Sequence, residues 1–200
     1  MAQIVWLFIL AITLHNLEEA IWLPQWSRTG GKWHPRVGDF EFRFAVVILT
    51  VTAIVFAVAS TVGGKESWGT YAVTGYAFAM LLNVFSPHVL VTVVTRRYMP
   101  GLATAVLAVL PTTGYLVSIA LAQDYVRTPQ FFGWAALMTV GLLASIRPLF
   151  ALGRRLGAGS KRSYASAARA TQSKALADPE AAIAEIGSLV KAGNAAKGGV

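Results

Sequence analysis

The stretch AITLHNLEEAIWLP, residues 11–24, places His15, Glu18 and Glu19 inside an otherwise apolar run. An imidazole and two carboxylates are side chains that ligate divalent metals or move protons. On a helix, positions i, i+3 and i+4 fall within an arc of about 100°, so the three project from one face. A second histidine, His88, lies in the run NVFSPH, and Arg147 interrupts a third apolar run. Asn16 and Asn83 add neutral polar groups. Two histidines and one carboxylate with open positions suit Fe(II), and three protein ligands plus water suit catalytic zinc. Di-iron bundles use four Glu and two His, more carboxylates than these runs hold. The expected site is therefore one divalent metal, zinc or iron, on His15, His88 and either Glu18 or Glu19. The remaining Glu would act as general acid or base, and Arg147 would orient an anionic group.

These groups need elements that hold them at one level. The chain has 200 residues, of which 56% are apolar and 13% charged, and a mean hydropathy of +0.58. Soluble domains carry about 25% charged residues, so an all-α, polytopic membrane bundle is expected. Cysteine is absent, which excludes disulfides, thiolate metal sites and cysteine nucleophiles. No DNA- or RNA-recognition motif accompanies the net charge of +8, so no nucleic acid partner is expected. A span needs about 20 apolar residues, and residues 4–23, 44–62, 71–95, 102–121 and 131–152 qualify. Short connections make successive spans antiparallel neighbours.

Basic residues gather on one set of connections: Arg28, Lys32, Arg36 and Arg43, then Arg96 and Arg97, then the tail from Arg154. The opposite set holds Lys65 and Arg127. The positive-inside rule then puts the N-terminus outside and the C-terminus in the cytoplasm of a bacterial inner membrane. Trp22, Trp26, Trp33 and Tyr98 fall near the cytoplasmic interface, as belt aromatics do. At 1.5 Å per residue, Glu18, Glu19, His88 and Arg147 lie about 6–11 Å from the cytoplasmic ends of their spans. They form one layer. Ionisable groups inside spans cost about 2.5–3.5 kcal/mol each, and so mark function by default. Pro87 should kink the third span between Asn83 and His88 into a polar-facing segment. Pro111 should kink the fourth, with Thr112 and Thr113 satisfying freed backbone groups. Residues 1–153 read as the membrane domain. Residues 154–200 read as a basic, largely flexible cytoplasmic tail with one short helix starting near Asp178, where Pro179 suits the first turn.

HNLEE in the first span, His88 further on, and Tyr98-Met99-Pro100-Gly101 after the third span together resemble the bacterial HXXEE-domain proteins. These are integral membrane proteins described by an HXXEE motif, one further histidine and a YXPG motif. The resemblance covers roughly residues 1–150, implies a membrane domain, and brings no activity with it. His34 competes for the second-histidine role from a polar loop. Pro100 and Gly101 fit the centre of a type II turn, with Tyr98 as an interface anchor. The leading expectation is a metal-dependent enzyme acting on a lipid or other hydrophobic molecule. A proton-coupled carrier using Glu18 and Glu19 is the alternative. A third is a non-catalytic module whose polar layer fixes packing, with Arg147 either paired to a Glu or snorkelling to the interface.

Overall fold

The computed structural model describes residues 1–29 and 36–177. Every regular element among them is helical. Five helices follow in order: α1 (Ala2–Ser27), α2 (Asp39–Gly63), α3 (Trp68–Thr95), α4 (Leu102–Ala122) and α5 (Thr128–Ala177). All five are long and apolar enough to cross a membrane. At 1.5 Å per residue, α1 and α2 each rise about 38 Å, more than the ~30 Å hydrocarbon core.

The chain divides into two compact units, Met1–Arg154 and Arg155–Val200. In the second, helix persists to Ala177, beyond the apolar segment ending at 152, because Ala, Lys, Arg and Gln are strong helix formers without being apolar. The short helix expected near Asp178 lies outside the described residues, as do Lys32, Trp33 and His34.

Within the first unit, half of the apolar window of α1 is buried, against 6% for α5. α1 is thus the central helix. Phe8 and Ile12 pack against Ala53 and Ala57 of α2, Val73 and Ala77 of α3, and Leu116 of α4. Lipid is as apolar as these side chains, so close approach rather than water exclusion holds such helices together, and the alanines permit it.

Two helices are locally irregular, both beside the polar layer. In α3 the turn spanning Val84–Val89 is widened, Ser86 is extended (φ −137°, ψ 114°), and its bond to Pro87 is cis. Pro87 has no N–H to continue the ladder. In α4 the turn Ala105–Val109 is widened ahead of Pro111. There the Thr112 and Thr113 hydroxyls donate to the carbonyls of Ala108 and Val109, each at 2.7 Å. The hydroxyl-to-backbone bonds expected beside Pro111 are present.

Candidate metal centre

The turn between α3 and α4 organises the site. The Leu102 N–H donates to the Met99 carbonyl at 3.1 Å, and Gly101 has φ +94° and ψ −19°. That is the left-handed third position a type II turn requires, with Pro100 before it. Helix starts leave N–H groups without intrahelical acceptors, and inside a membrane each needs a partner. At α4 every one is accounted for. The Ala103 N–H donates to the Tyr98 hydroxyl at 3.2 Å, the Thr104 N–H to Glu18 Oε2 at 3.1 Å, and the Gly101 N–H to Glu18 Oε1 at 2.9 Å.

Glu18 also accepts from the Thr104 hydroxyl at 2.6 Å and from the Tyr98 hydroxyl. A carboxylate from α1 therefore caps α4 from across the bundle, where the positive end of the helix dipole favours it. Tyr98 lies between the spans. Its phenol is raised above its usual pKa, first by burial and then because it donates to Glu18.

The same turn sets the state of His15. His15 Nδ1 lies 3.1 Å from the Gly101 carbonyl and 3.2 Å from the Thr104 hydroxyl oxygen. A carbonyl only accepts, so Nδ1 carries the proton and Nε2 keeps its lone pair. His15 and His88 are 1% and 0% exposed, with ring centroids 4.8 Å apart and planes at 84°. Glu19 Oε1 lies 3.2 Å from His88 Nε2 and 3.9 Å from His15 Nε2. Neither these Nε2 atoms nor His88 Nδ1 makes a hydrogen bond, although all three are buried. Buried polar atoms normally have partners, so the two Nε2 atoms that face Glu19 call for an explanation.

A metal ion supplies one. Ligand atoms of His15, Glu19 and His88 lie within 4.8 Å of one another. Around a single zinc with bonds of about 2.0–2.2 Å, neighbouring donors stand about 3–3.5 Å apart. The His88–Glu19 distance already matches, and the rest requires closure by an ångström or so. The Nδ1–H···O=C bond of His15 is the outer contact that ligating histidines ordinarily make. The residues fit the group.

The cluster opens onto a partly open cavity of about 630 Å³, whose wall includes His15, Asn16, Glu19 and Asn83. Asn16 donates to the Thr50 hydroxyl at 2.7 Å and ties α1 to α2. Of the expected site residues, His15, Glu19 and His88 come together. Glu18 sits beside them, but both its oxygens are committed to the turn. Arg147 is exposed on α5 and is not among the residues lining the cavity. Thr104 was missed. Its only signal is a hydroxyl in the first turn after Gly101, a position where such residues cap helices.

The family model described as a protein of unknown function with HXXEE motif matches residues 6–116. An uncharacterised protein of Bacillus subtilis (strain 168), YrkK, is 32% identical over 156 residues, covering 78% of this chain and 99% of the relative. No solved structure matches the chain. The match takes in α1 with its His15-x-x-Glu18-Glu19 run, His88 and the Tyr98–Gly101 turn, the parts that converge here. The chain belongs to the HXXEE family.

Proposed function

We propose that this protein is a membrane-embedded enzyme built around one divalent metal held by His15, Glu19 and His88, acting on a hydrophobic molecule from the bilayer. The observation that carries this reading is the convergence of two buried ring nitrogens lacking hydrogen bonds, Nε2 of His15 and Nε2 of His88, on one carboxylate. When bound, zinc would supply Lewis acidity for hydrolysis, and iron oxidative chemistry. The protein's own parts divide the remaining work. The Gly101 carbonyl holds the His15 tautomer, and Glu18 fastens the turn that carries that carbonyl. Glu19 presents its carboxylate at the cavity wall, and the apolar surfaces of α2, α3 and α5 keep water from the site. The basic connections support an orientation with this layer near the cytoplasmic face of a bacterial inner membrane. Arg147 is exposed and off the cavity wall, so the substrate-orienting part is not placed on it.

A carrier that titrates both glutamates is less well supported. Glu18 accepts four hydrogen bonds, all of which would have to break or reorganise with each proton. The test is elemental analysis of protein purified in detergent. Wild type should carry about one equivalent of zinc or iron, Glu18→Gln should retain it, and Glu19→Gln and His88→Ala should lose it. Equal and negligible metal in wild type and His88→Ala would sink the reading and favour a structural polar layer.

A further inference from the structure

Asn83 is a polar residue of the cavity wall that the metal centre leaves unused, as is Ser86. Its carboxamide lies within a span and makes no hydrogen bond among the described residues, whereas that of Asn16 is satisfied by Thr50. A carboxamide facing hydrocarbon without partners is costly, and polar groups inside spans mark ligand paths.

The charge of the wall narrows the ligand. Among its described residues there is no lysine or arginine. Glu18 and Glu19 together would balance a divalent ion, leaving no net positive charge for an anionic head.

Shape narrows it further. A second cavity of about 420 Å³ is bounded by α2 and α5 alone, and Leu49 and Leu142 line both cavities. Its two hydroxyls are already used: Thr52 donates to the Ile48 carbonyl at 2.8 Å and Ser145 to the Leu142 carbonyl at 2.7 Å. The groove is therefore apolar in effect. From Phe42 to Phe56 the combined lining follows α2 for about 21 Å, somewhat more than half of the ~30 Å hydrocarbon core. That is the reach of one chain with its head in one leaflet. The first cavity lies within the ~300–1,000 Å³ typical of small-molecule sites.

We propose that this cavity takes a single-chain amphiphile with an uncharged, oxygen-bearing head, which the Asn83 amide holds beside Glu19 and His15 while the chain lies between α2 and α5. The proposal deepens the enzyme reading by naming its substrate class. It is measured by binding, so the two fail separately.

The full chain would be placed in liposomes with diazirine-bearing probes: a long-chain alcohol, the matching alkyl sulfonate, and phosphatidylglycerol. Crosslinks are mapped by mass spectrometry, and metal is measured on the same samples. The alcohol should label α2 and α5 along the groove, with the two anionic probes labelling it at least about tenfold less. Asn83→Leu, which keeps the branched shape and the number of heavy atoms, should lower alcohol labelling about fivefold, the worth of one hydrogen bond, with metal content unchanged. Leu142→Trp, which fills the junction of the two cavities, should abolish it. Equal labelling of the groove by all three probes, or labelling by the alcohol that ignores Asn83→Leu, would overturn the proposal. The expected labelling in protein without metal would instead overturn the metal centre and leave the groove standing.

Discussion

Replacing Gly101 by alanine tests whether the turn after α3 holds the ligands or merely passes by them. Two costs can be read from the structure. Alanine at φ +94° meets the left-handed penalty of about 1–2 kcal/mol. Its Cβ would also lie 2.6 Å from His88 Cε1 and 3.0 Å from both Glu19 Cγ and His15 Cε1. Real carbons do not approach so closely, and overpacking of this kind costs about 1–3 kcal/mol. Together they come to about 2–5 kcal/mol, or a melting temperature lower by about 4–20 °C at the ~2–4 °C per kcal/mol usual for chains of this length.

Gly64 separates strain from collision. It has φ +69°, but nothing lies within 4 Å of its added Cβ, so Gly64→Ala carries only a backbone cost of about 1–3 kcal/mol. Gly114 is helical with the same open surroundings, and Gly114→Ala should stabilise by about 0.5–1 kcal/mol. The assay is thermal unfolding in detergent with elemental analysis of each variant. Both Gly64→Ala and Gly101→Ala should melt early, but only Gly101→Ala should bind metal about 10–100-fold more weakly, as when outer contacts of a metal site are disturbed. A Gly101→Ala protein that melts with wild type, or that keeps its metal as Gly64→Ala does, would refute the reasoning.

Glu18→Gln should lower the melting temperature by the equivalent of about 2–4 kcal/mol, because its amide would face the Thr104 or Gly101 donors as a second donor. Denaturation in detergent checks this, and an unchanged midpoint would contradict the cap. Tyr98→Phe removes one donor to Glu18 and should remove a pH dependence as well. Since the folded phenol titrates above its usual value of about 10, its contribution is fully present below pH 10 and is lost as pH climbs through the higher folded value. Wild type should therefore lose stability relative to Tyr98→Phe only in strongly alkaline buffer, as melting curves across that range would show. Arg147→Gln changes an exposed side chain off the cavity wall and should shift stability by no more than about 0.5 kcal/mol, with metal content intact. A marked loss of metal would bring Arg147 back into the site.

The five spans were legible because hydropathy and the length an apolar run needs are properties of the chain itself. So was the pairing of His15 with Glu19, which follows from helical spacing. What escaped was rotation and division of labour. Glu18 and Glu19 share a face, yet one turns to the α4 start and the other to His88, and that split depends on a turn some eighty residues away. Arg147 lies in the expected span, but the apolar stretch of α5 around it gives no sign of which side faces inward. His88 and Asn83 sit about 140° apart on an unbroken helix. The interruption at Ser86 lets His88 pack against His15 while Asn83 lines the cavity, a repacking no periodic pattern encodes. Thr104 left too faint a trace, because its value lies in a partner on another helix.

The cap that Glu18 places on α4 bears on how the molecule is made. α1 leaves the ribosome before α2, α3 and α4, and its Glu18 finds its donors at Tyr98, Gly101 and Thr104. Until Thr104 emerges, α1 must hold an uncompensated carboxylate while three further connections are synthesised. α1 would thus become secure in the bilayer only once α4 has begun. A nascent chain arrested just before Thr104 should be extracted from the membrane more readily than one arrested a helix later.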